Sequence, residues 1–563
     1  MVLRAAMRAT LMCATMLHST QLVPATASHP VVSTEYGDIK GKANVGGTVH
    51  TFQSVPFAKP PTVENELRFK PPVEPEPWEG VLDTERAKLL TNICPQLDLI
   101  GGTHLFLGEE DCLYLSVYAP ASASASNPLP VLFWIFGGAY VLGDGVEFGL
   151  YNGEHLAEQH DVIVVSPNYR VGPFGFLAHE ALKAEDLNNS TGNMGIMDQR
   201  FAMEWVQRNI GAFGGDPDRV TIAGESAGGF SVCHHFANGV AHQYNGKGLF
   251  RAAIMESGSC DTPEFFLQQD QAFEFGTLFS NELGCPTTSP RDDATYLECM
   301  RALPTKDVML GMAAAIFKYH NISVEDVGGA VAPYDHSPSL KAALAQAQYL
   351  PALAPIFPFG PVIDGTDVGL RQMPLASLRA GEGTNVPIII GSNNNEGSIF
   401  VPMMPLVVPS AHLPLNDEGL EAVLHHVLDP VTGGASIQPV LDQYPSALFK
   451  DTDHRAEVVI RDYIFLCPAR RAARASAKAQ NRTYLYHFEY PGHWIDMQLM
   501  GDYHASELWF VFRTNLLTNT VHHYTTDDEK MSDSFERLWT NFIKTADPNE
   551  PNYDGHPNGD GNG

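Results

Sequence analysis

The chain is 563 residues long, 44% of them hydrophobic, with 65 acidic against 35 basic side chains and a formal charge of −30. That hydrophobic content is typical of a globular protein, and the length suits one extended α/β body as well as several smaller domains. The acidic excess argues against nucleic acid and anionic membrane surfaces as partners.

At the N-terminus, Arg4 and Arg8 precede the apolar run ATLMCATML, and Ala25-Thr26-Ala27 offers small residues for cleavage. Residues 1–27 are therefore expected to be a secretory signal peptide, making the mature protein secreted or lumenal. No later stretch has the 18 or more apolar residues of a membrane span. Asn189, Asn321 and Asn481 each open an Asn-x-Ser/Thr tripeptide that this route would glycosylate. Cleavage removes Cys13 and leaves Cys94, Cys112, Cys233, Cys260, Cys285, Cys299 and Cys467, an odd set with at least one free thiol in a monomer. In an oxidising compartment Cys94–Cys112 and Cys285–Cys299 are candidate loop closures worth about 3 kcal/mol each. Cys260–Cys467 is one option among the rest. No CxxC or HExxH spacing occurs, and the adjacent pairs His234-His235, His425-His426 and His522-His523 would diverge on any regular element. Neither a metal site nor a cofactor is expected.

Strand-forming runs dense in β-branched and aromatic residues fall at 131–136 and 161–170, with a helix-compatible stretch over 148–160 between them. Apolar residues at helical spacing over 197–213 stop at Gly214-Gly215-Asp216-Pro217. Further strands are read at 218–223, 249–258, 386–394 and 483–490. This succession predicts a large, mostly parallel, doubly wound sheet flanked by helices. Residues 280–380 and 400–470 read as helices and long loops that flank the same body. One domain is expected over 28–550, followed by a disordered polar tail at 551–563.

Residues 221–229 read TIAGESAGG. A strand that turns abruptly into a helix strains the residue at the turn, here Ser226, and large neighbours two positions away would clash; hence Gly224 and Gly228. The arrangement presents a hydroxyl at a helix N-terminus, where negative charge is favoured. A serine hydroxyl needs a base, and the base an orienting partner. Glu396 lies in a polar loop after the strand at 386–394, and His504 in another before an apolar segment. Ser226, Glu396, His504 is the order Ser, acid, His of the α/β-hydrolase sheet. A glycine-rich turn, a solvated loop acid and a helix-capping histidine would account for the same residues, so the rest of the chain must decide.

Its other motifs are FQSVPFAKPP, LRFKPP, EEDCLYLSVYAP (109–120), WIFGGAYVLG (134–143), NYRVGPFGFL (168–177), GNMGIMDQRFAMEWVQRNIGAFGGDPDRVTIAGESAGG (192–229), NNNEGSIF and NFIKTADPN (541–549). With these the chain resembles, from about residue 30 to about 550, the type-B carboxylesterase/lipase family. That family includes cholinesterases, fungal lipases and the non-catalytic neuroligins. The resemblance implies an α/β-hydrolase fold with Ser226 as nucleophile, His504 as general base then acid, and Glu396 as its orienting partner. It also implies the pairs Cys94–Cys112 and Cys285–Cys299. The family's GGG(F) motif stands here as Gly137-Gly138-Ala139-Tyr140, which places the N–H groups of Gly138 and Ala139 beside that of Ala227 as oxyanion donors. Should the site require positive φ, the methyl of Ala139 would cost about 1–2 kcal/mol. Phe136 stands where the family usually has His or Tyr. Beyond NFIKTADPN, the family's tryptophan-proline segment and closing element have no counterpart.

The loop between Cys94 and Cys112 has no tryptophan, the residue on which cholinesterases stack a quaternary ammonium, so choline esters are disfavoured. Its apolar cluster, Leu97, Leu99, Ile100, Leu105, Phe106 and Leu107, could gate an acyl pocket or simply pack on the body. The expected substrate is a small-molecule carboxylic ester of short to medium acyl chain. A triacylglycerol lipase and a non-catalytic adhesion protein are the alternatives.

Overall fold

Nine strands form the main sheet of the computed structural model, which describes residues 29–84, 92–97, 106–239, 243–285, 292–319, 359–406, 408, 410–432, 434–479, 482–514 and 524–549. The expected signal peptide, the polar tail, Asn321, Asn481 and residues 98–105 of the first disulfide loop lie outside them. In chain order the strands are β1 (Lys42–Ala43), β2 (Val49–Pro56), β3 (Tyr114–Pro120), β4 (Leu129–Ile135), β5 (Ile163–Pro167), β6 (Gly215–Glu225), β7 (Ala252–Glu256), β8 (Ile388–Asn393) and β9 (Thr483–Phe488). They lie in the order β9-β8-β7-β6-β4-β5-β3-β2-β1. From β9 to β5 all pairings are parallel. Strands β3, β2 and β1 extend the sheet antiparallel. The mostly parallel sheet expected from the sequence is thus present, with an antiparallel margin that the sequence reading did not separate out.

Burial explains the strand sequences. Every residue of β4, β5, β7 and β8 is buried, as for strands covered on both faces, and their composition is accordingly mostly apolar, with polar residues only towards the carboxyl ends of β5, β7 and β8. At the edge, β9 alternates exposed and covered positions. The principal helices are α1 (Glu154–His160), α2 (Met194–Asn209), α3 (Ala227–Ala237), α4 (Cys467–Ala479) and α5 (Thr526–Thr545). The helix expected over 148–160 begins only at Glu154, whose N–H bonds to the Asn152 side chain across Gly153; this Asn-Gly pair breaks the run. Helix α2 continues into a 3-10 turn at Ile210–Phe213 and stops at Gly214, φ 79°, as the glycine pair predicts.

The neighbours of β4 decide where a ligand can sit. Strand β5 lies on one side and β6 on the other, so the chain reverses direction across the sheet there. In open α/β sheets the crevice at such a reversal, outside the carboxyl ends of the strands, is the usual binding place. The segments leaving β4 and β6 at that edge are Gly137-Gly138-Ala139 and Ser226.

Cys94–Cys112 and Cys285–Cys299 are bonded as expected. Cys260 pairs with Cys233, not with Cys467. Cys233 faces inward from α3, and both sulfurs are fully buried with Cα atoms 5.5 Å apart. Cys467, at the start of α4, keeps a free thiol.

A buried ion pair ties the segment after β5 to α2. Arg170 Nε and Nη2 donate to Asp198 Oδ2 and Oδ1 at 2.8 and 2.7 Å, and its Nη1 donates to the Lys70 carbonyl at 2.8 Å. Asp198→Ala leaves a buried guanidinium unpaired and is expected to cost about 3–5 kcal/mol, read as a lowered midpoint in urea unfolding.

Candidate active site

Ser226 sits between the last residue of β6 and the first of α3 with φ 56° and ψ −123°, a conformation sparsely populated by residues with a side chain. Its cause is close approach. A Cβ on Gly228 would lie 2.0 Å from the Ile135 carbonyl oxygen at the end of β4, and one on Gly224 only 2.6 Å from that oxygen and from the Gly228 backbone. The two flanking glycines are therefore required by space. The Ser226 N–H donates to the Glu256 carbonyl at 2.9 Å, and its own carbonyl accepts from Phe230 N–H at 2.9 Å. Its hydroxyl makes no hydrogen bond among the described residues and is partly exposed.

Two loops distant in sequence are zipped together beside this elbow. Asn395 pairs with Tyr503 in an isolated bridge, Asn395 N–H donates to the Asp502 carbonyl at 3.1 Å, and Asn393 Nδ2 donates to the Tyr503 carbonyl at 2.9 Å. Glu396 and His504, 108 residues apart, thereby meet with Oε2 2.6 Å from Nδ1. The other carboxylate oxygen accepts from Ser257 Oγ at 2.6 Å and Asn393 N–H at 2.7 Å. On the far side of the imidazole, Nε2 lies 3.1 Å from Oε1 of Glu225, the residue before Ser226, without forming a hydrogen bond to it. Phe465 and Phe400 flank the ring with centroids 4.8 and 5.2 Å away. Phe465 comes from a π-helical turn, Arg461–Leu466, that precedes α4; such turns are frequent at functional sites.

Two carboxyl groups, Glu225 and Glu396, touch this imidazole, and Glu256 and Glu507 lie within electrostatic range of them; all four are 3% exposed or less. Burial pushes Glu256 from its ordinary 4.5 up to about 8, although its Oε1 accepts from Trp539 Nε1 at 2.8 Å. Glu225 and Glu507 are raised well above the usual range, first by burial and then by the other acids. Glu507 also accepts from the Asn393 side chain.

The loop after β4 carries the other predicted positions. Gly138 has φ 104°, Ala139 φ 53° and Tyr140 φ 63°. Ala139 thus occupies a positive-φ position, and the cost of about 1–2 kcal/mol applies to it. No hydrogen bond among the described residues uses the N–H of Gly138 or Ala139, and Ala227 N–H, at the first position of α3, has no intrahelical acceptor. The Gly138 carbonyl accepts from Val141 and Leu142, while Gln96 clamps Gly143 through its side-chain amide in both directions at 2.9 and 3.0 Å. Phe136 packs inside, stacked on Tyr169 at 4.1 Å, whose hydroxyl donates to the Phe136 carbonyl. An apolar ring at 136 is therefore part of the loop's support.

The structure brings Ser226, Glu396, His504, Gly138, Ala139 and Ala227 to one edge of the sheet. Sequence reasoning missed Ser257, Glu507, Phe400, Phe465 and Gln96, which local pattern does not mark; Glu225 stood in the quoted motif without an assigned part. Asn189 lies at an exposed turn with φ 54°, while Ser190 and Thr191 beside it are buried against Asp364.

A strained serine between strand and helix at the carboxyl edge of this sheet defines an α/β-hydrolase. The chain belongs to the carboxylesterase family, whose model matches residues 28–559. It is 34% identical over 531 residues to the para-nitrobenzyl esterase of Bacillus subtilis (strain 168), covering 92% of this chain and 91% of that one. It is 31% identical to the bile salt-activated lipase of Homo sapiens, covering 94% of this chain and 64% of that one. A solved PNB esterase structure superposes with a TM-score of 0.68 at 31% identity, covering 93% of this chain and 92% of that one. The protein is accordingly a carboxylic ester hydrolase. Among the described residues no helix is long and apolar enough to cross a membrane.

Because the folded protein holds Glu256 protonated up to about pH 8 while the unfolded chain releases that proton near 4.5, the contribution is full below pH 4.5 and is lost as pH rises towards 8. Glu225 and Glu507 act in the same direction. Glu256→Gln, which still accepts from Trp539, is expected to flatten the fall in thermal midpoint across that window in scanning calorimetry.

Proposed function

We propose that this protein is a secreted serine carboxylesterase that works through an acyl-enzyme on Ser226. The observation that carries the proposal is the fully buried 2.6 Å contact of Glu396 with His504 Nδ1, which leaves Nε2 facing the elbow. Glu396 accepts from Nδ1–H and so keeps the Nε2 lone pair available as a base. Ser226 Oγ attacks the ester carbonyl carbon while its proton passes to Nε2. The oxyanion is met by the N–H groups of Gly138, Ala139 and Ala227. As the tetrahedral intermediate collapses, the alcohol leaves with the proton from Nε2. Water then repeats the sequence, giving its proton to Nε2, and the carboxylic acid is released as Ser226 recovers its hydrogen.

The substrate is a small-molecule ester. The absence of tryptophan from the Cys94–Cys112 loop disfavours quaternary ammonium esters, and similarity to para-nitrobenzyl esterase supports small esters of short to medium acyl chain. Similarity to bile salt-activated lipase supports the second reading, a lipase, whose rate would jump once substrate exceeds its solubility. Secretion is supported by the N-terminal run and by three disulfides, which persist in oxidising compartments.

On p-nitrophenyl butyrate, Ser226→Ala and His504→Ala should each lower kcat by at least about 10⁴-fold with an unchanged circular dichroism spectrum. Undiminished turnover in Ser226→Ala would end the acyl-enzyme reading. Protein recovered from the medium of a secreting host should begin at residue 28 or 29 by N-terminal sequencing; an intact Met1 would contradict secretion by cleavage.

A further inference from the structure

Away from the hydrolytic site, helices α1 and α5 bring two imidazoles onto one carboxylate. His155 and His160 of α1 place their Nε2 atoms 3.1 and 2.8 Å from the same oxygen, Oε2, of Glu536 on α5. The three candidate ligand atoms lie within 4.8 Å of one another. The Glu536 side chain is 3% exposed, His160 14% and His155 29%, so the cluster has a buried floor and a mouth open to water. The second oxygen of Glu536 is held by Ser532 Oγ at 3.2 Å and approached by Arg513 Nη1 at 3.5 Å, which fixes the carboxylate with Oε2 turned to the imidazoles.

We propose that His155, His160 and Glu536 form a binding site for a divalent transition-metal ion of the zinc type, tying α1 to the C-terminal helix. Two imidazole nitrogens and one carboxylate oxygen are a zinc donor set, with the fourth position left to water at the open mouth. Magnesium and calcium, which call for six or more oxygens, do not match it. In a tetrahedral site with bonds of about 2.0–2.1 Å, ligand atoms stand about 3.4 Å apart. The observed nitrogen–oxygen separations are a few tenths of an ångström shorter, so small side-chain rotations open the space for an ion. As the metal takes the place of the hydrogen bonds between Nε2 and Oε2, the ring proton at each Nε2 moves to Nδ1 or to solvent. No sequence motif announces this site: the histidines are five residues apart on one short helix, and the acid follows His160 by 376 residues.

Zinc chloride titrated calorimetrically into the full-length, chelator-treated protein should bind at one site per chain. At zinc a hundredfold above its Kd the thermal midpoint should rise by about 2 °C. Cobalt in the same site should give visible d–d absorption. The double variant His155→Ala/His160→Ala should lose the binding step, the midpoint rise and the cobalt bands, while hydrolysing p-nitrophenyl butyrate as before. Should that variant fold poorly, His155→Asn alone, at the exposed rim, should weaken zinc at least about tenfold. No binding to the wild-type protein, or undiminished binding in the variants, overturns the proposal.

Discussion

The approach of the Ile135 carbonyl to the first turn of α3 is the constraint on which the site depends. Strands β4 and β6 run parallel and in register, with Gly224 opposite Ile135, so their carboxyl ends finish at one level. A helix starting there must pass within 2.0 Å of where a Cβ at 228 would stand. Only glycine fits, and the chain between strand and helix is driven to φ 56° at Ser226. One contact therefore does two things. It lifts the serine side chain out of the strand, and it sets the first N–H of α3 beside the loop that leaves β4. The loop's own positive-φ residues, Gly138, Ala139 and Tyr140, follow Ile135 after Phe136 and Gly137. Hydroxyl and amide donors are positioned by the same pair of strand ends.

Around this elbow a chain of formal charge −30 concentrates carboxyl groups in its interior. Glu225, Glu256, Glu396 and Glu507 are chemically equivalent acids, and what separates them is the supply of donors. Glu396 receives three: Ser257 Oγ, Asn393 N–H and His504 Nδ1. Glu256 receives one, from Trp539, and Glu225 Oε1 has no hydrogen bond. Burial with few donors favours the neutral form of a carboxyl. The fold thus gathers four acids behind one imidazole's two contacts and makes only Glu396 its partner at Nδ1.

Local chemistry was legible where spacing along the chain carries it. The Gly224-Glu225-Ser226-Ala227-Gly228 stretch announces strand, strained turn and helix by itself, and the buried parallel strands announce themselves by unbroken apolar runs. The Asn152-Gly153 break was missed because helical periodicity outweighed a turn pair. The two-residue strand β1 and its neighbour β2 were missed because they hold their place through neighbours rather than through pattern. Cys233 gave no sign of its partner, since the α3 face it occupies is fixed only when the helix packs. Ser257 bonds to Glu396 and Glu507, and Phe465 flanks His504, so three different segments meet behind and beside the imidazole. No one-dimensional pattern encodes that meeting.

The remaining question is whether the scaffold is kept for chemistry or for binding alone. A fold under selection only for stability would relax its strained and unsatisfied groups, since each costs of order 1–3 kcal/mol and nothing in the packing gains from it. Other positive-φ residues and buried polar atoms without a hydrogen bond lie elsewhere among the described residues, such as Phe69, Asp161, Trp205 and His454, but a group of them gathers at the site. Positive φ at Ser226, Ala139 and Tyr140, a carboxyl oxygen of Glu225 without a hydrogen-bond partner, and amide donors without acceptors at Gly138 and Ala139 all fall at one edge of one sheet. They surround the place where a reacting carbonyl would stand, between the hydroxyl and the amides. Strain and unmet hydrogen-bonding capacity gathered at one place are what a site pre-organised for a transient charge requires, and an adhesive surface has no use for them.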